Sequence, residues 1–154
     1  MTPQTDPGSR QTRPDIGAIA TGLMRRCLDE CVAYAKERVL FGRPIGQNQG
    51  VQFPIARAYM ATEAAALMVD KACALYEAGQ PAGKEANMAK QLAAEASFLA
   101  GDTCLQTHGG FGFAEEYDVE RKFRETKLYQ VAPISTNLIL SYLAERVLGQ
   151  PKSY

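Results

Sequence analysis

Three groups of residues have the types and spacing to hold an anion. The first is Arg38-Val-Leu-Phe-Gly-Arg-Pro-Ile45, followed by Gln47 and Gln49. An arginine there can make charge-assisted bonds to a phosphate, or simply complement the dipole of the helix it ends. The second is Leu105-Gln-Thr-His-Gly-Gly-Phe-Gly-Phe113, with three glycines in four positions interleaved with two phenylalanines. Glycines so placed signal a positive φ or a close backbone approach, which suits a phosphate-bearing cofactor. They equally suit a helix cap and turn, with Phe111 and Phe113 plugging the core. The third is Tyr129-Gln-Val-Ala-Pro-Ile-Ser-Thr-Asn137, where Pro133 precedes a helix start offering Ser135, Thr136 and Asn137. Free N–H groups at a helix start attract anions, and the same hydroxyl and amide residues serve as plain N-caps.

The elements that must position these groups read as long helices. Met1 to Thr12 is polar, with two prolines and a glycine, and is expected to be a disordered tail. A first helix is predicted from about Arg13-Pro14 to Arg38, burying Ile16, Ile19, Ala20, Leu23, Cys27, Cys31 and Tyr34. After a turn at Gly42 to Gly46, a second runs from about Gln49 to Ala78. Its expected buried stripe is Phe53, Ala56, Met60, Ala64, Leu67, Ala74 and Leu75, with Gly79 and Pro81 ending it. A third, Lys84 to Gln106, is lined by Ala86, Ala89, Ala93, Ala94, Ala96 and Ala100, and belongs at the centre because small side chains let helix axes approach. Val119 to Tyr129 reads as a short charged helix, and about Ile134 to Leu148 as the last, with Leu138, Ile139, Tyr142 and Leu143 apolar. No segment reads as a strand. The fold class is all-α: an antiparallel up-down four-helix bundle over residues 13–150, with a short extra charged helix between helices three and four. Residues 151–154 form a tail.

Composition excludes several functions. Lys+Arg and Asp+Glu each number 17, so no global field draws the chain to nucleic acid or anionic lipid. No apolar run reaches the roughly 20 residues that span a bilayer, and the first twelve residues lack an apolar leader core, so the location expected is cytoplasmic. The four cysteines come with one histidine, His108, which falls short of a tetrahedral zinc site and implies buried thiols and no metal.

Taken in order, Glu37-Arg-x-x-Phe-Gly-x-x-Ile45, the glutamines after it, Gln106-x-x-Gly-Gly-x-Gly-Phe113 and Arg124-Glu-x-Lys-x-Tyr129 resemble the C-terminal helical domain of acyl-CoA dehydrogenases, from about Thr12 to Leu148. The resemblance implies FAD as cofactor and oxidation of an acyl-CoA thioester at Cα–Cβ. It places Arg38 on the FAD pyrophosphate with Phe41 beside it, and Gln49 near the adenine. Gln106, Gly109 and Gly110 would line a dinucleotide usually held by a neighbouring subunit. Ser135 and Asn137 would lie near the flavin, and Thr12 and Arg13 by the acyl pocket. Partners implied are copies of itself or a chain bearing the family's N-terminal and middle domains, since family bundles assemble as dimers of dimers.

The catalytic base departs from that pattern. Most of the family carries Tyr-Glu-Gly-Thr before the last helix, where this chain has Ala132-Pro133-Ile134-Ser135. The base position is therefore Pro133, and an alternative family position is Thr12; neither accepts a proton at neutral pH. Asp15 is an acid that could stand in, without support from spacing. The alternative to a dehydrogenase portion is thus a non-catalytic subunit completing a partner's FAD site.

Overall fold

The computed structural model describes residues 7–152, with side chains from residue 17 onward. The elements are α1 (Pro7–Glu37), β1 (Val39–Leu40), β2 (Arg43–Pro44), α2 (Gln49–Glu77), α3 (Gly83–His108), α4 (Val119–Val131) and α5 (Thr136–Tyr142), the last running on as a π-helical turn over Leu143–Val147. The all-α bundle is as expected from the sequence.

Helix α1 is already formed at Pro7, the first described residue and six before the expected start at Arg13. Residues 1–6 of the expected tail lie outside the described residues, as do the side chains of Thr12, Arg13, Asp15 and Ile16. The segment expected as a bare turn is a minimal antiparallel hairpin, pairing Val39 with Pro44 and Leu40 with Arg43. Its two-residue tip has φ of 52° at Phe41 and 79° at Gly42. Positive φ at both positions is the turn whose twist matches two paired strands.

The alanines of α3 behave as expected: Ala86, Ala89, Ala93, Ala94, Ala96 and Ala100 are all buried, and α3 packs against α1, α2 and α4. Close approach is built into the α3–α4 crossing, where a Cβ at Gly101 would stand 3.0 Å from Thr126. The face of α2 is the reverse of the one expected. Ala58, Thr62, Ala65, Ala66, Val69 and Ala72 are buried, whereas Phe53, Met60 and Leu67 are exposed and Ala56, Ala64 and Ala74 with them. Of that stripe only Leu75 is half-buried. Ile19 of α1 and Leu138 of α5 are likewise exposed.

Polar contacts fix α4 on α1. The Lys122 ammonium, 8% exposed, reaches both carboxylate oxygens of Glu30 at 2.7 and 2.9 Å and Asp118 at 3.2 Å. Burial alone would lower its pKa, but the two carboxylates outweigh that and raise it. None of the four cysteines is in a disulfide, and Cys27, Cys31 and Cys104 are buried. Burial pushes the Cys27 thiol up to about 12. Iodoacetamide should therefore spare Cys27, Cys31 and Cys104 in the native chain, with half-buried Cys73 the first to react by mass spectrometry. Early labelling of the other three would contradict this packing.

Candidate functional site

Two of the three sequence groups meet at one end of the bundle. Tyr34, Arg38, Leu40, Ile45, Thr107, His108, Gly109, Gly110 and Phe111 line an open groove of about 430 Å³ between the end of α1, the hairpin and the end of α3. Arg38 comes just after the last turn of α1, its N–H bonded to the Tyr34 carbonyl at 2.8 Å, and its guanidinium lies 5.3 Å over the Phe111 ring. That contact orients the cation without neutralising it.

The three loop glycines have three different grounds. Gly109 has a φ of 60° and caps α3, its N–H turned back to the Gln106 and Leu105 carbonyls, so that donor is already engaged. Gly112 is buried, and a Cβ there would lie 2.9 Å from the Leu105 carbonyl oxygen. Gly110 answers to neither demand: it is exposed, and an added Cβ would meet nothing within 4 Å. Neither a clash at Cβ nor a positive φ within the chain calls for glycine at position 110.

An aromatic floor beneath the loop escaped sequence reading. His108 is buried and stacks on Tyr34 with ring centroids 4.0 Å apart; its Nδ1 donates to the Cys104 carbonyl at 2.8 Å. Tyr117 meets His108 edge-on at 5.7 Å and lies 5.4 Å from Phe111. Helical spacing hints only at its separate halves, Tyr34 four residues before Arg38 and Cys104 four before His108, and not at the stack that joins them. Phe111 and Phe113 are exposed rather than plugging the core. Phe41 stands out at the hairpin tip, 103% exposed. Gln49 opens α2 and Gln106 sits near the end of α3, both exposed and both outside the lining of the groove.

The third group lies elsewhere. Ser135 N-caps α5, accepting from the Leu138 N–H at 3.4 Å, and Asn137 is exposed in its first turn. The turn before it is anchored by Lys90, 1% exposed, whose Nζ donates to the carbonyls of Tyr129 at 2.6 Å and Ile134 at 2.8 Å. Burial lowers the pKa of this ammonium. Pro133, in a cis peptide bond with Ala132, lies within the anchored turn. Lys90 and His108 are 18 residues apart on α3, about 27 Å at 1.5 Å per residue. The groove and the Ser135 turn therefore sit towards opposite ends of α3 and cannot grip the same phosphate. Among the described residues no cluster of three or more His, Cys, Asp or Glu suits a metal, and no helix is long and apolar enough to cross a membrane.

Residues 9–148 match the acyl-CoA dehydrogenase C-terminal domain, and the chain belongs to that family. It is 41% identical over 139 residues to acyl-CoA dehydrogenase FadE12 of Mycobacterium tuberculosis, covering 89% of this chain and 36% of that protein. Its fold superposes on butyryl-CoA dehydrogenase of Megasphaera elsdenii with a TM-score of 0.86 at 32% identity, covering 88% of this chain and 36% of that one. A complex of PigA with FAD and proline gives a TM-score of 0.86 at 28% identity, over 91% of this chain and 36% of the other. The chain thus spans about a third of the length of these relatives.

Replacing Lys90 by Ala leaves two buried carbonyls without a donor and opens a cavity, and is expected to cost about 2–4 kcal/mol. Denaturant unfolding measures this; a cost under about 0.5 kcal/mol would mean that the turn needs no anchor.

Proposed function

We propose that this chain is the FAD-contacting and self-associating C-terminal portion of an acyl-CoA dehydrogenase-like flavoprotein, acting on an acyl-CoA thioester only together with further domains or subunits. The observation that carries the reading is the groove itself: an exposed guanidinium faces a glycine whose missing side chain nothing within the chain requires. A dinucleotide pyrophosphate fits both, taking charge from Arg38 and close approach from Gly110. Phe41, projecting past the hairpin, and Gln49 and Gln106 flank the groove as further contacts, while the backbone at Gly109 shapes the turn and offers no donor of its own. When bound, FAD would supply the acceptor for hydride. This chain's residues would bind and orient it.

Ser135 and Asn137 lie too far from Arg38 for one phosphate, so the two ends of α3 serve either different cofactor molecules or distant parts of an assembled site. Thr12 and Arg13, at the start of α1, remain the residues proposed for the acyl pocket. A cytoplasmic location goes with this reading.

A second reading, a non-catalytic subunit that completes a partner's FAD site, draws on Pro133. Proline has no proton-accepting side chain, and Lys90 holds the turn around it in place. Co-expression with a chain bearing the missing domains separates the two: bound flavin bleached by acyl-CoA supports a dehydrogenase, and flavin retained without bleaching supports the second reading. In either assembly Arg38→Ala removes a charge-assisted bond worth about 1.5–3 kcal/mol and should raise the FAD Kd about 10- to 150-fold. Unchanged occupancy would make Arg38 a helix-end charge only.

A further inference from the structure

Three of the four cysteines meet in one layer of the core, beneath the groove. Cys27 and Cys31 of α1 and Cys104 of α3 are buried in a single apolar cluster. Cys31 Sγ donates to the carbonyl of Thr103, the residue before Cys104, at 3.9 Å. The Cys31 and Cys104 thiols are themselves in hydrogen-bonding contact. On the other side of Cys104, His108 Nδ1 lies 3.7 Å from its Sγ. The N–H there is directed to the Cys104 carbonyl, which leaves the Cys104 S–H to point at Cys31.

Geometry selects one pair of the three. Cys27 and Cys31 are four residues apart on one helix, a step that holds Cβ atoms about 5–6 Å apart. A disulfide needs about 3.8 Å between them, so that pair cannot close. Cys31 and Cys104 come from different helices, which the buried Ala100, one turn before Cys104, lets approach. The pair also divides its protons unequally. The hydrogen bond from Cys104 lowers the Cys31 thiol, whereas sharing that bond, together with burial, raises Cys104. Cys31 is thus the nucleophilic sulfur, and Cys104 keeps a proton beside it. Tyr34 and His108, in the lining of the groove, stand about one helical turn above the pair, or about 5.4 Å. A water-sized oxidant has only that depth to cross.

We propose that Cys31 and Cys104 form a peroxide-oxidisable dithiol that closes as a disulfide between α1 and α3. The Cys31 thiolate attacks one oxygen of hydrogen peroxide and the O–O bond breaks. Cys31 becomes a sulfenic acid, and the departing hydroxide takes up the proton that Cys31 had lost. The Cys104 sulfur then attacks the Cys31 sulfur, the S–O bond breaks, and the second hydroxide leaves with the Cys104 proton. Two thiols and one peroxide thus become one disulfide and two waters.

The test exposes the native 154-residue chain to hydrogen peroxide and then denatures it in N-ethylmaleimide. Intact mass should show two of the four thiols lost and two labelled, and peptide mapping should join Cys31 to Cys104. Dithiothreitol should restore all four. C27S and C73S should leave the link unchanged, whereas C31S and C104S should each abolish it. Dimedone should trap a sulfenic acid on Cys31 in C104S, and none on Cys104 in C31S. The mapping on the parent chain decides the matter even where a serine variant fails to fold. Four free thiols after peroxide, a link through Cys27 or Cys73, or a link formed only when the chain is denatured before oxidation would overturn the proposal. Dimedone labelling of Cys104 in place of Cys31 would overturn it too. None of these outcomes bears on the flavin reading.

Discussion

The structure depends on how closely three helices can approach α3. Six buried alanines line it, with Ser97 and with Gly101 at the α4 crossing, so neighbouring backbones come near and much of the packing is by short-range contacts rather than by large side chains. Larger residues at those positions would push α1, α2 and α4 apart. The end of α3 would then no longer meet the end of α1, and that junction is the groove. The shape of the groove therefore follows from helix spacing set many residues away.

That same spacing leaves the large apolar residues little room inside. Met24, Val119 and Ile139 are among the few large side chains fully buried, alongside Lys90, whose charge is tolerated because two carbonyls face it. Phe53, Met60, Leu67 and Phe41 are left at the surface. Exposed apolar residues in such number, on a chain that spans about a third of its relatives' length, fit a domain shaped to be covered by other protein.

Legibility in the sequence followed the same physics. The register of α3 was readable because its small residues fall on one face and have no other purpose. The α2 face was read inverted because alanines occur on every side of that helix, so the large residues dominated the periodicity, and they lie outward. Boundaries marked by glycine and proline agree within two residues for α2, while α1 is already helical at Pro7, ahead of the Pro14 expected to open it. Arg38 and the glycine loop were singled out by residue type and do meet. The Tyr34–His108 stack and the anchor at Lys90 were not legible, since each joins residues distant in the chain that only the packed fold brings together. The separation of the Ser135 turn from the groove was hidden for the same reason, although it follows from the length of α3 once both ends are placed.

Gly110 offers the most direct test of the groove. Its replacement by valine adds a side chain that meets nothing in the chain at the Cβ position and lies at a backbone φ that needs no glycine. In the assembled flavoprotein, G110V is predicted to leave the melting temperature of this chain within about 2 °C of the parent and to lower flavin occupancy markedly. Full occupancy with an unchanged melt would contradict the claim that the loop faces the cofactor.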